Sequence, residues 1–156
     1  MINYLILDSK GWFKDKKFLN ASNSEKFYFL NNKNDLTAEY LEIIKPRFIF
    51  FVHWSWKVEA SLHEKYDCII FHTAPLPFGR GGSPIQNLIL LGFKSSPVYA
   101  LKMTEDLDAG PTYMKRDLSL LGNLEEIFKR LSRIVAEMIN EICHSKELTC
   151  RPQSED

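Results

Sequence analysis

Two short stretches carry the residue types that could do chemistry. One runs His72-Thr-Ala-Pro-Leu-Pro-Phe-Gly-Arg-Gly-Gly-Ser-Pro84 and the other Asp106-Leu-Asp-Ala-Gly110. In the first, a histidine closes an apolar strand and is followed by a Gly/Pro-rich turn and a helix start. In the second, a turn carries acid. A layout of this kind can aim an imidazole and a carboxylate into one cleft. Imidazole exchanges protons near neutral pH. A carboxylate beside it can orient the ring, hold it protonated, or take the proton through a water. A lone histidine at a strand end is more often structural; the proline and glycine pattern after His72 and the later acid shift the reading toward function.

Other members of these stretches read two ways. Gly79, Gly81 and Gly82 either make a turn or let backbone come close to a ligand. Arg80 either pairs with a carboxylate of the fold or binds an anionic substrate group. Asp106 reads first as a turn residue. Aromatics at a strand end, as in Val52-His-Trp-Ser-Trp56, are more often core than ligand platform. His63 and His144 read as surface residues, and Asn87 as an ordinary polar position on a helix.

The elements that must position these groups follow from periodicity. Ile2 to Leu7 is a first strand, and Phe27 to Leu30 a second. The charged stretch Asp8 to Lys26, broken by Gly11 and Asn20, is expected as loop with room for a helical turn. Asp35 or Thr37 caps a helix running to about Ile44, ended by Pro46. Arg47 to His53 is almost continuously apolar, as suits a strand buried on both faces. Val58 to Tyr66 predicts a short helix, and Cys68 to Phe71 another buried strand. Ser83 is placed to cap a helix with Pro84 first, Ile85, Leu88, Ile89 and Leu91 as its apolar members, and Gly92 as its stop. Pro97 to Met103 and Pro111 to Leu118 read as strands joined by the Asp106 to Gly110 turn. The last helix is the clearest: Asn123 and Glu126 have capping-box spacing, and Leu124, Ile127, Phe128, Leu131, Ile134, Val135, Met138 and Ile142 make one apolar face. Glu125, Lys129, Arg130 and Arg133 form its solvated side.

Strands alternating with helices predict an α/β domain, Rossmann-like, with a largely parallel sheet flanked by helices. Ligands of such sheets sit beyond the carboxyl ends of the strands, where His53 and His72 both fall. At 156 residues the chain has room for a single domain, expected over residues 1–144, with a loose polar tail over 145–156. Lys plus Arg balance Asp plus Glu at 20 each, so no global field steers the protein to nucleic acid or membrane. No apolar run is long enough to span a bilayer, and the N-terminus lacks the basic region of a signal peptide. Cys68, Cys143 and Cys150 have no metal-like spacing and read as reduced structural thiols of a cytoplasmic protein; no metal is called for.

Taken in order, His72-x-x-x-Leu-Pro, Arg80-Gly-x-x-Pro84, a helix, a strand and Asp106-x-Asp-x-Gly110 make a pattern similar to the folate-dependent formyltransferases. That family includes the methionyl-tRNA, glycinamide ribonucleotide and sugar N-formyltransferases. The resemblance covers roughly residues 47 to 140. It implies 10-formyltetrahydrofolate as cosubstrate. The family uses an Asn-x-His pair and a distal aspartate; by resemblance His72 takes the histidine place and Asp108 the aspartate place, as the catalytic pair. The asparagine place falls on Ile70, which cannot hydrogen-bond through its side chain, and His53 and Ser55 are the candidates to replace it. The resemblance puts His53, Trp54, Ser55 and Asp106 on the cofactor side, where Trp54 or Trp56 packs beside the pterin, and Arg80, Gly81 and Gly82 on the acceptor side. The chain also departs from the family in lacking a clear glycine-rich turn after the first strand and room for an extra C-terminal domain.

Formyl transfer to an amine passes through a tetrahedral intermediate whose oxyanion needs a hydrogen-bond donor, while the attacking amine must lose a proton. The resemblance gives His72 oxyanion stabilisation or proton transfer, and Asp108 tuning and proton relay. Losing one oxyanion donor typically costs on the order of 100- to 1000-fold in rate, so a protein with Ile70 could be slow rather than inert. The expected acceptor is a small amine, with a nucleotide-linked amino sugar preferred over tRNA for want of a basic surface. The partners expected are small molecules, not nucleic acid or membrane, and a homodimer stays open as the assembly. Two other readings stand beside this one: a non-catalytic folate- or nucleotide-binding protein descended from such enzymes, and a formyl-folate hydrolase.

Overall fold

The computed structural model describes residues 1–82 and 84–153. Its strands are β1 (Ile2–Asp8), β2 (Glu25–Leu30), β3 (Phe48–His53), β4 (Cys68–Thr73), β5 (Ser95–Lys102) and β6 (Thr112–Ser119). Its helices are α1 (Ala38–Ile44), α2 (Ala60–Lys65), α3 (Pro84–Leu90) and α4 (Leu124–His144). All six strands join one sheet in the order β2-β1-β3-β4-β5-β6. The pairings from β2 to β4 are parallel. β5 runs antiparallel to β4, and β6 to β5.

The continuous apolar runs end up in the middle of this sheet because helices cover both its faces. Alternation along β1 and β3 sorts their side chains: Tyr4, Ile6, Phe48, Phe50 and Val52 face α4, whose Ile127, Leu131, Val135 and Ile139 complete that core. Leu5, Leu7, Ile49 and Phe51 face the other way, onto Leu41 of α1 and Leu62 of α2. In β4, Ile69 and Phe71 join the first core, while Cys68 and Ile70 belong to the opposite face. His72 therefore shares a face with Ile70.

The helix ends follow their side-chain chemistry. Thr37, not Asp35, caps α1, its hydroxyl accepting from Tyr40 N. Asn123 caps α4 by accepting from Glu126 N at 2.9 Å. The Glu126 carboxylate does not close the box but lies 3.7 Å from Arg130. The cap expected at Ser83 lies outside the described residues. α3 stops at Leu90, one residue short of the expected Leu91: Gly92, at φ 88°, and Phe93 donate back to Ile89 O and Leu88 O, so the glycine ends the helix as its place in the sequence predicts. Ile85 and Leu88 are buried, but Ile89 and Leu91 are left exposed.

Two connections shape the site. The β5–β6 hairpin is joined by the segment 103–111, longer than a tight turn. It leaves beside the start of β4, where Met103 N donates to Cys68 O at 3.0 Å. It returns through Gly110, which packs so closely on β5 that an added Cβ would lie 1.8 Å from Lys102 O. The expected loose tail is tied down as far as it is described. Arg151 and Thr112 exchange two backbone hydrogen bonds, of 2.7 and 2.9 Å, and Leu148 packs against the core.

Gly110→Ala should therefore push the 103–111 segment off β5. The expected loss is about 1–3 kcal/mol of stability, the usual range for overpacking, measured by denaturant unfolding; an unchanged midpoint would contradict the close packing.

Candidate active site

His72 lies at the carboxyl end of β4 and is 7% exposed. Its Nε2 is 2.8 Å from Gly79 O. A carbonyl can only accept, so Nε2 carries hydrogen, and Nδ1 is the nitrogen that faces Asp108, 3.5 Å from its Oδ2. Asp108 is equally buried and adopts left-handed backbone, at φ 52°. Its Oδ2 also accepts from Gly81 N at 3.0 Å. Its Oδ1 is buried with no hydrogen-bond partner among the described residues. Gly79, at φ 82°, turns the chain tightly enough that a Cβ there would press to 2.9 Å from the Ala74 side chain. The glycine turn thus serves the pair directly: one of its carbonyls holds the imidazole and one of its amides holds the carboxylate.

Two clefts, of about 470 and 950 Å³, meet at Asp108. Both are walled by Phe51, Trp54, Ser55, Ile70, Leu107 and Asp108. The smaller cleft takes in His53, His72, Gly81 and Gly82 together with Lys10 and Trp12. The larger takes in Trp56, Thr104, Asp106 and Gly110, and also His63, which is half-buried rather than on the open surface. Trp54 and Trp56 meet edge-on at 4.8 Å.

The remaining expected site residues divide. His53 faces the smaller cleft but packs edge-on to Trp12 at 4.3 Å. Burial pushes its imidazole down to about 4 from an ordinary 6.5, against the opposing pull of the Asp8 carboxylate. Ser55 shares a 3.0 Å hydrogen bond with Ser9, fastening the loop after β3 to the end of β1. Neither His53 nor Ser55 hydrogen-bonds to His72 or Asp108 among the described residues, though both line the cleft that His72 and Asp108 line. Asp106 is exposed at the rim of the larger cleft. Arg80 lines neither cleft; its guanidinium meets the side chain of Gln153, with 2.7 Å from Nη2 to Oε1. Asn87 is exposed, and the exposed His144 pairs with Glu25 at 3.4 Å.

Lys10, Trp12 and Gln153 escape the sequence reading. For the first two a signal existed, since the loop after β1 also leaves the carboxyl edge of the sheet. Asp8 gathers that loop by accepting from Lys10 N and Phe13 N, which carries Trp12 to His53.

Fold and site together define an α/β, Rossmann-like domain with a buried His–Asp pair whose aspartate stands on the wall between two clefts. No family model matches the chain. A solved methionyl-tRNA formyltransferase from Clostridium thermocellum is 38% identical, with a TM-score of 0.92; the match covers 100% of this chain and 70% of that one. A methionyl-tRNA formyltransferase from Campylobacter lari is 29% identical over 153 residues, 90% of this chain and 50% of the relative. The formyltransferase PseJ from Anoxybacillus kamchatkensis, solved with UDP-4,6-dideoxy-4-formamido-L-AltNAc and tetrahydrofolate, shares the fold at 18% identity and a TM-score of 0.73, covering 99% of this chain and 82% of that one. The chain belongs to the folate-dependent formyltransferase family. It spans between 31% and 50% of the length of the curated relatives it matches. Among the described residues, no helix is long and apolar enough to cross a membrane.

His53 gives the site a pH signature in stability. Its folded pKa lies below its unfolded value, so the unfolded chain binds the extra proton. The contribution is complete above about 6.5 and is lost as pH falls toward about 4. Urea unfolding across that window should lose up to about 2–3 kcal/mol more in wild type than in His53→Gln. Parallel pH curves for the two proteins would rule this out.

Proposed function

We propose that this domain transfers a formyl group from 10-formyltetrahydrofolate to the amine of an acceptor. The observation that carries the reading is the buried His72–Asp108 pair, with His72 lining the smaller cleft, Asp108 on the wall shared by both clefts, and Asp108 Oδ1 unpartnered among the described residues. A formyl donor in one cleft and an amine in the other would meet at that wall. The larger cleft, with the indoles of Trp54 and Trp56 and the backbone of the 103–110 segment, suits a pterin. The smaller, with Lys10, Gly81 and Gly82 at its edge, suits the acceptor.

In this reading the cosubstrate supplies the formyl carbon, and the protein supplies hydrogen bonds and a proton path. Asp108 Oδ1 accepts from the incoming amine or from a water beside it. His72 Nδ1, next to Asp108 Oδ2, receives the proton or presents one to the developing oxyanion. Gly79 O and Gly81 N fix ring and carboxylate against each other, so neither must reorganise as charge moves. Ile70 gives no donor; it dries the wall instead, which strengthens the remaining electrostatics.

Two acceptors are supported by different observations. A nucleotide-linked amino sugar fits the charge balance of the chain and the modest smaller cleft. Methionyl-tRNA is supported by the relatives in sequence, which bear that name. Cytoplasmic residence belongs to the same reading and rests on three free cysteines.

Turnover of 10-formyltetrahydrofolate with an amino-sugar nucleotide, with methionyl-tRNA and with no amine separates the alternatives. Formate released without an amine would identify a hydrolase. His72→Ala should lower transfer at least about 100-fold with thermal unfolding near wild type; undiminished turnover rejects the assignment. For Ile70→Asn, a large gain would mark a decayed site, while no gain or a loss would mark one that works without asparagine.

A further inference from the structure

Gln153 sits where the two loops of the site meet, and nothing in the reaction above uses it. Its Nε2 donates to Asp108 O at 2.8 Å and to Gly110 O at 2.9 Å. Its Oε1 accepts from Arg80 Nη2 at 2.7 Å and, more weakly, from Nε at 3.3 Å. Both hydrogens and the oxygen of the amide are thus engaged. One side chain clamps the peptide of the aspartate, the glycine that closes its loop, and the arginine of the glycine turn.

Asp108 needs such a clamp. Its φ of 52° lies in a region that residues other than glycine seldom occupy. Rotation of the Asp108 peptide would swing the carboxylate away from His72 Nδ1 and Gly81 N, the two groups that Oδ2 meets. The clamp is itself delivered with little freedom, because Gln153 lies two residues beyond Arg151, which is paired with Thr112 at the start of β6.

We propose that Gln153 is a positioning residue for formyl transfer. It holds the Asp108 backbone so that the carboxylate stays against His72. The inference rests on the function proposed above for its catalytic meaning, but the hold itself can be tested without turnover.

The test uses Gln153→Ala and Gln153→Glu in the full chain. Glutamate keeps an acceptor for Arg80 but has no donor for the Asp108 and Gly110 carbonyls, so simple anchoring of the tail predicts that Gln153→Glu behaves as wild type. Positioning predicts that both variants lose kcat on the order of 10- to 100-fold, with KM for 10-formyltetrahydrofolate and thermal unfolding little changed. It also predicts that the His72 ring signals in NMR pH titrations move in both. The NMR signals decide: unmoved His72 titration in both variants overturns the inference, whatever happens to turnover. Wild-type titration and turnover in Gln153→Glu alone would likewise overturn it. If wild type shows no transfer to any amine, the proposed function fails, and the same His72 signals still settle whether Gln153 holds the pair.

Discussion

The site depends on one segment running back along one strand. Residues 103–111 leave the sheet beside Cys68, at the amino end of β4, yet Asp108 must reach His72 near its carboxyl end. Four residues of strand separate those points, about 13 Å at the usual rise. The segment can cover that distance only by lying over the face of β4 that carries Cys68, Ile70 and His72. Ile70 lies in the middle of that path and walls both clefts. Its side chain packs with Leu101, Leu76 and Ala74 as part of a small third core.

That arrangement separates the two histidines that close neighbouring strands. His53 is desolvated among aromatic rings and has its pKa driven down, so at neutral pH it is an uncharged packing surface. His72 is buried, but it is given a carbonyl on one nitrogen and a carboxylate on the other. Equivalent positions on adjacent parallel strands thus acquire different chemistry. The difference lies in what other loops bring to them: Trp12 from the loop after β1 in one case, Asp108 from the β5–β6 segment in the other.

Most of the fold was legible because it is written in apolar runs. β1, β3 and β4 are short enough to be strands and apolar enough to be buried on both faces, and α4 has a cap and an unbroken apolar stripe. The stop of α3 was legible in Gly92, but its apolar pattern did not show that Ile89 and Leu91 stay exposed. The catalytic candidates could be read through the order of their motifs and its resemblance to a known family, and the fold brings His72, the glycine turn and Asp108 together. Gln153 could not. A single amide in a polar tail has no periodicity, and its importance comes from contacts with residues 43 to 73 positions away in the chain. The same tail shows why polarity alone misleads. It stays ordered through edge pairing with Thr112, which composition does not record.

The three tryptophans, Trp12, Trp54 and Trp56, all line the clefts, and none is among the fully covered side chains of the core, which is built from aliphatic residues, phenylalanines and Tyr4. The intrinsic indole emission of the protein therefore originates entirely at the walls where ligands would sit. Its colour and intensity report the wetness and occupancy of those walls, and the interior is spectroscopically silent at the same wavelengths. The molecule carries its own optical probe of the clefts, with no label to attach.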